Sequence, residues 1–319
     1  MCSLYKRVIL MLDSIDKQEY IDNSKVFFDF LMHTRQWSNI SQVEYKKWLS
    51  NFDGIPDGAY IACRLLNHLI YYSEKDTIKL IVESIDNIFS QEIVLPLQLS
   101  KGFSSLPSEN EFEIAEAIKR TLIVPLTLFS DPGDSGPHIM RLIHNHYKPR
   151  MQSCFSHLIN ATMNVNYDRL IIVDDFVGSG KQFSEFWTES EIKGGQLLRN
   201  WCAENGIKAY YLALIGYEDT LHTLRSTFTD ISIIFSEALT GYHRVFSDNS
   251  FCWSDKDEQN QVRQILEEEL EKYGIKLLGF DGLDFAVATN DTIPDWSLPL
   301  FHKNINGWRM LVERKDSNE

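Results

Sequence analysis

Residues 170–182 constrain the fold of this chain more than any other part of its sequence. The segment begins with the apolar run Leu-Ile-Ile-Val, which predicts a strand buried on both faces, as in a parallel sheet. Asp174 and Asp175 follow at the carboxyl end of this strand, where open α/β sheets bind their ligands. A loop of small residues, 178–180, comes next, and its main-chain N–H groups can surround an anion at the start of a helix. Carboxylates for sugar hydroxyls beside a phosphate-binding loop indicate a site for ribose 5-phosphate.

Two nucleotide-binding motifs share glycines with this segment, and neither of them fits. A Walker A loop needs a glycine five residues before its Gly-Lys pair, but Asp175 occupies that position, and Gln182 replaces the Mg-binding Ser or Thr. The dinucleotide fingerprint G-x-G-x-x-G fails because position 183 is Phe. The alternative that stays open is a plain strand end at which Asp175 caps the next helix. The repulsion between two adjacent carboxylates disfavours this alternative.

The segment resembles the signature of the type I phosphoribosyltransferases. That signature has four apolar residues, two acids, two more apolar residues and a loop of the form Thr/Ser-Thr/Ser-Gly-x-Thr. Twelve of the thirteen positions of 170–182 are acceptable matches, counting Gly178, which stands where Thr or Ser is usual. Gln182 stands where the family has a Thr, although its amide can still donate a hydrogen bond to phosphate. The resemblance implies catalytic acids at Asp174 and Asp175, which would also hold a metal directly or indirectly, and a phosphate loop of Gly178, Ser179, Gly180, Lys181 and Gln182.

A second turn, at 130–137, follows the first predicted strand and precedes a predicted helix. Asp134 or Ser135 can cap that helix, and Pro137 suits its first turn. In the family the loop after this strand receives pyrophosphate, and Arg141 could hold phosphate oxygens in a bidentate fork. The alternative is a well-capped helix with a solvated arginine. The pyrophosphate-loop residues that the resemblance implies are Asp134, Ser135, Gly136 and Arg141.

The order of the elements predicts an α/β fold with a doubly wound, mainly parallel sheet and an N-terminal helical region. Residues 1–118 carry apolar side chains at helical spacing, whereas strand-length runs alternate with helices from 119 onward. We therefore expect a helical region at 1–118 and a phosphoribosyltransferase-like domain with a C-terminal closing segment at 119–319. The predicted strands are 122–128, 170–173, 209–215, 231–235 and 285–288, and the predicted helices between them lie near 136–147, 182–203, 217–227 and 256–273.

The composition excludes several classes of protein. A net charge of −14 disfavours nonspecific binding to nucleic acid. The chain has no apolar run of membrane-spanning length, and its N-terminus lacks a small-residue cleavage site for a signal peptide. Its five cysteines are widely spaced and form no C-x-x-C pair, so neither a zinc site nor a disulfide framework is predicted. These features favour a cytoplasmic protein.

The C-terminal segment resembles one group of phosphoribosyltransferase-like proteins, which is found in bacterial conflict (anti-phage) operons. The residues that carry this likeness are Asn290, Pro294 and the pair at 298–299, followed by Trp308 and Arg314. The alternative is a closing segment in which prolines stiffen a loop and tryptophans pack.

The two resemblances together imply an enzyme with Mg²⁺ that acts on phosphoribosyl pyrophosphate (PRPP) or on a nucleotide containing ribose 5-phosphate. The reaction would be a phosphoribosyl transfer or the cleavage of an N-glycosidic bond. The likeness also implies a role in anti-phage defence and a protein partner from the same operon. The alternatives are a regulator that binds nucleotide or PRPP without catalysis, and a structural partner in a defence complex.

Overall fold

The computed structural model describes residues 17–104, 106–126, 136–147, 167–192 and 195–314. Their chain forms two compact units, one from 17–75 with 240–314 and the other from 76–239. The domain boundary expected between 118 and 119 stays a prediction. Within the described ranges, no helix is both long and apolar enough to cross a membrane.

The helices and strands are numbered in chain order over the described residues. The strands are β1 Ile70–Tyr72, β2 Thr121–Pro125, β3 Arg169–Val177, β4 Glu191–Ile192, β5 Gln196–Leu197, β6 Lys208–Tyr217, β7 Ser232–Leu239 and β8 Val287–Thr289. The α-helices are α1 Lys17–His33, α2 Gln42–Leu49, α3 Gly58–His68, α4 Glu74–Phe89, α5 Leu95–Ser100, α6 Glu111–Lys119, α7 Gly136–Tyr147, α8 Lys181–Glu189, α9 Leu198–Glu204, α10 Glu218–Thr227 and α11 Lys256–Glu271. Short 3₁₀ turns lie at Ser50–Phe52, Pro107–Asn110, Gly241–His243, Phe280–Gly282 and Pro299–Phe301, and a π-helical turn lies at Ser90–Val94.

A four-stranded parallel sheet in the order β2-β3-β6-β7 forms the centre of the second unit. Its strands are apolar along nearly their whole length because helices cover both faces. One face packs against α8, α9 and α10, with Ile172 and Tyr211 in the same cluster as Phe183 and Leu224. On the opposite face α4 lies against β7, where the hydroxyl groups of Ser84 and Ser236 are 2.7 Å apart. The predicted α/β fold with a parallel sheet is confirmed.

Two predicted elements differ from the structure. The helix expected near 182–203 is divided, because the antiparallel hairpin β4–β5 separates α8 from α9. Between the two strands of this hairpin, Gly195 has the positive φ of 75° that glycine adopts without strain. The strand expected at 285–288 is also different, because β8 lies in the first unit and pairs in parallel with β1. The local apolar pattern at 285–288 does not indicate which strand β8 pairs with.

Aromatic side chains fill the core of the first unit and connect its N-terminal and C-terminal segments. The ring of Trp48 in α2 stacks on Phe301, with centroids 5.5 Å apart and an interplanar angle of 11°. The indole N–H groups of Trp48 and Trp308 both donate to the main-chain oxygen of Leu300, at 2.8 and 2.9 Å. Arg314 lies 3.8 Å from the carboxylate of Asp295. Trp308 and Arg314, which carry part of the C-terminal likeness, therefore make packing and surface contacts within this unit.

Candidate functional site

The first acid of the signature, Asp174, lies almost completely buried at the carboxyl end of β3. Its side chain points to the face covered by α8, and the hydroxyl of Tyr211 in β6 donates to Oδ2 of Asp174 at 2.7 Å. The other carboxylate oxygen, Oδ1, accepts from the main-chain N–H of Asp175 at 3.0 Å. Both oxygens of this carboxylate are thus engaged by the protein.

The second acid, Asp175, is the next residue of β3. It is half-buried, and its Oδ1 accepts from the main-chain N–H of Phe176 at 2.9 Å. The structure therefore places the two predicted acids side by side near the carboxyl end of β3.

Aromatic side chains pack around Tyr211, the residue that donates to the first acid. Its ring stacks on Phe183 of α8, with centroids 3.9 Å apart and an interplanar angle of 13°, and the edge of Phe235 faces it at 6.5 Å. Burial raises the pKa of Tyr211 well above its ordinary value, and the negative charges of Asp174 and Asp175 add to this rise. The phenol therefore keeps its proton at neutral pH and remains a donor to Asp174.

The loop at 178–180 is braced by α10. The Thr220 hydroxyl donates to the main-chain oxygen of Gly178 at 2.5 Å. Gly180 has a φ of 75°, and a Cβ atom there would lie 2.9 Å from Cγ2 of Thr220 and 3.0 Å from Leu224. Gly180 is thus required both by its backbone conformation and by the close approach of α10.

Helix α8 begins directly after this loop without a side-chain cap. Within the described ranges, the main-chain N–H groups of 179–182 have no hydrogen-bond acceptor. The alternative in which Asp175 caps this helix does not agree with the structure, because Gly180 is the N-cap residue. Uncapped N–H groups at the positive end of a helix are suited to an anion such as phosphate.

The predicted phosphate-loop side chains surround this helix start. Ser179, Lys181 and Gln182 are exposed, and Lys181 lies 3.8 Å from Glu185 one turn along the helix. An exposed pair of this kind contributes little to stability, so the Lys181 ammonium can turn to an anion at low cost.

Only part of the predicted pyrophosphate loop falls in the described ranges. Asp134 and Ser135 lie outside the described residues. Gly136 is the first residue of α7, and this helix packs against β2 and β3. Arg141 is exposed, with its Nη2 atom 3.4 Å from Nδ1 of His138. The roles of Gly136 and Arg141 in pyrophosphate binding stay predictions.

Sequence reasoning missed Tyr211 and Thr220, the two side chains that hold the site from neighbouring elements. The only local signal for Tyr211 was a hydroxyl-bearing side chain inside an apolar run, 209–215. The link to Asp174 depends on the register of β3 against β6, in which Ile172 pairs with Tyr211. That register is a tertiary property.

A parallel α/β sheet with two acids and a glycine loop at its carboxyl edge is the arrangement that the resemblance to the phosphoribosyltransferases implies. A family model named PRTase-CE matches residues 45–314, which include the signature and the C-terminal pattern. The chain therefore belongs to the PRTase-CE family, and its phosphoribosyltransferase-like character is confirmed. A comparison with curated proteins gave no match.

Proposed function

We propose that the chain binds PRPP, or a nucleotide containing ribose 5-phosphate, at the carboxyl edge of the four-stranded sheet and acts on its glycosidic carbon. The observation that carries this proposal is the helix start at 179–182, whose main-chain N–H groups face no acceptor in the described ranges. Asp175 lies close by along the chain. An anion-binding helix start beside a carboxylate suits a phosphorylated sugar.

Different site residues would contact different parts of the ligand. The 5-phosphate would accept hydrogen bonds from the main-chain N–H groups of the loop, with the side chains of Ser179, Lys181 and Gln182 around it. The ribose hydroxyls would donate to the signature acids. As the group on the anomeric carbon leaves, positive charge develops on the ribose, and a preorganised carboxylate stabilises that charge.

Magnesium fits this site as a metal held largely by the ligand. Among the described residues, no group of three His, Cys, Asp or Glu side chains could hold a metal by itself. Mg²⁺ prefers oxygen ligands, keeps several waters and is commonly bound by one or two carboxylates plus substrate phosphates. Asp175, which is more exposed than Asp174, is the side chain best placed to contribute directly. The metal would neutralise charge on the departing pyrophosphate.

The remainder of the proposal follows from the family likeness. Asp134, Ser135, Gly136 and Arg141 would receive the pyrophosphate. The protein would act in the cytoplasm as a component of an anti-phage defence system, with a partner encoded in the same operon. A regulator that binds the same ligand without catalysis is the second candidate. Gln182 favours this regulator, because it replaces the usual Thr of the phosphate loop.

Thermal unfolding in the presence of ligand tests the proposed site. PRPP with Mg²⁺, ribose 5-phosphate, AMP and NAD would each be added to the purified protein. A ligand at about 100 times its dissociation constant stabilises a protein by about 2.7 kcal/mol, which is readily measured. We expect a shift with at least one ligand, and its loss in Asp174→Asn/Asp175→Asn. Asp53→Asn/Asp248→Asn is the matched control, since it removes two exposed acids of the first unit.

Two further results decide between the candidates. A ligand shift accompanied by release of pyrophosphate from PRPP, or of base from a nucleotide, supports the enzyme. A ligand shift without either product supports the regulator. The absence of a shift with all four ligands would contradict the ribose-phosphate site altogether.

A further inference from the structure

We propose that Thr220 of α10, which lies outside the signature, is a positioning residue of the phosphate loop. Its hydroxyl holds the first residue of the loop, so that the main-chain N–H groups of 179–182 are already arranged for an anion before the ligand binds. This inference rests on the proposed function, because it assigns a role within the same site.

One buried side chain reaches the loop at both of its glycines. Thr220 is only 8% exposed. Its hydroxyl donates to the main-chain oxygen of Gly178 at 2.5 Å. Its methyl group lies so close to Gly180 that a Cβ atom added there would be 2.9 Å from Cγ2. The hydroxyl therefore fixes the beginning of the loop, and the methyl group packs beside its end.

The register of the sheet brings Thr220 to this position. β3 and β6 are neighbouring parallel strands, and Val177 at the end of β3 pairs with Gly216 near the end of β6. The phosphate loop and the first turn of α10 therefore leave the sheet side by side. Thr220, the third residue of α10, contacts the loop from this turn.

The composition of the loop explains why a contact from another helix matters. Two residues of 178–180 are glycines, and glycine loses more conformational freedom than other residues when its backbone is fixed. A loop that is already held in its binding conformation avoids this loss when the ligand binds. Gly178 also stands where the signature usually has Thr or Ser, and Thr220 supplies a hydroxyl to this same residue from outside the signature.

Binding titrations with two probes test this inference. The dissociation constants of inorganic phosphate alone and of PRPP with Mg²⁺ would be measured calorimetrically, at a temperature at which every variant is folded. Thr220→Val keeps the methyl group and removes the hydroxyl. We expect this variant to bind both probes about threefold to tenfold more weakly than wild type, the range for one neutral hydrogen bond.

Thr220→Ser separates positioning of the loop from packing of α10. It keeps the hydroxyl and removes the methyl group, so we expect its affinity for both probes to stay within about twofold of wild type. Packing alone predicts the opposite order, because serine removes more buried apolar surface at this position than valine does. The order of the two variants in affinity therefore distinguishes the two roles.

The matched control is Thr223→Val. Thr223 lies one turn later in α10, and its hydroxyl donates to the main-chain oxygen of Asp219 at 2.8 Å, within the same helix. This variant also loses a threonine hydroxyl and its hydrogen bond but keeps the contact between Thr220 and the loop. We expect it to bind both probes within about twofold of wild type.

Thr220→Ala replaces Thr220→Val if the valine variant does not fold, because alanine also lacks the hydroxyl and is the best helix former. It should bind both probes at least about threefold more weakly than wild type. Wild-type affinity in the variant without the hydroxyl, or a larger loss in Thr220→Ser than in Thr220→Val, would overturn the inference while leaving the proposed function intact. Failure of wild type to bind either probe would instead overturn the proposed function and the inference with it.

Discussion

The starts of α8 and α11 differ in how their N–H groups are satisfied. In α11 the Asp255 carboxylate accepts from the N–H of Glu258 at 2.8 Å, and Glu258 in turn accepts from the N–H of Ser254. In α8 the N-cap position is Gly180, in the left-handed conformation and with no side-chain cap. The start of α11 is capped by side chains, and the start of α8 is not.

The difference teaches how a functional helix start can be recognised. Replacing a capping side chain by Ala costs a helix about 1 kcal/mol, whereas Gly at the N-cap costs roughly a few tenths of a kcal/mol. Other helices of this protein, such as α9 and α10, also begin without a side-chain cap, so an uncapped start is not distinctive by itself. In α8 the uncapped start coincides with a glycine that α10 holds in place and with two carboxylates at the preceding strand end. An uncapped helix start in such a setting agrees with the proposed phosphate site, whereas α11 is capped by its own side chains.

The largest effect is expected from Gly180→Ala. The new Cβ would have a positive φ and would lie 2.9 Å from Thr220, so we expect the free energy of unfolding to fall by about 2–3 kcal/mol. Gly206→Ala is the matched control, because Gly206 also has a positive φ, of 65°, but nothing lies within 4 Å of its Cβ position. That control should lose only about 1 kcal/mol. Equal losses in chemical denaturation would show that α10 does not brace the loop.

A smaller effect is expected from Asp255→Ala at the capped helix. Loss of the bond to the N–H of Glu258 should lower the free energy of unfolding by about 1 kcal/mol. The stabilisation by PRPP should not change, because α11 takes no part in the proposed site. Asp257→Ala removes an exposed first-turn acid that is not the cap, and it should cost less than Asp255→Ala. If PRPP stabilised Asp255→Ala less than wild type, the start of α11 would also affect ligand binding, and the proposed difference between the two helix starts would be contradicted.

The smallest effect on stability is expected from Gln182→Thr at the open helix. Gln182 is exposed, so the free energy of unfolding should stay within about 0.5 kcal/mol of wild type. Phosphate should bind as well as before or more tightly, since the new hydroxyl restores the side chain that the family uses. Titration with inorganic phosphate measures this directly. A clear loss of affinity would count against the assignment of 178–182 as the phosphate loop.

Local patterns were sufficient for most elements of the second unit. The apolar runs near 122, 170, 209 and 231 are strands, and the helix predicted at 136–147 has those bounds. Such runs are informative because a strand covered on both faces must be apolar almost throughout. The pattern at 285–288 also overlaps a strand, β8. The local sequence did not indicate that this strand pairs with β1 and not with a strand of the four-stranded sheet.

The candidate site was predictable in part for the same reason. The acids, the glycines and the start of α8 lie within one continuous segment, so their order along the chain was enough to propose a ribose-phosphate site. The position of both acids within the strand depends on its extension to Val177. The predicted strand ended at 173, before either acid.

The sequence by itself determined the kind of fold and the segment at which a ligand would bind, because both depend on residues close together in the chain. Only the tertiary structure decided which side chains support that segment. Tyr211 reaches Asp174 through the register of two strands, and Thr220 reaches Gly178 through the packing of α10 against the loop. Such contacts depend on how separate elements align, and each side chain by itself resembles an ordinary buried polar residue in a sheet or helix.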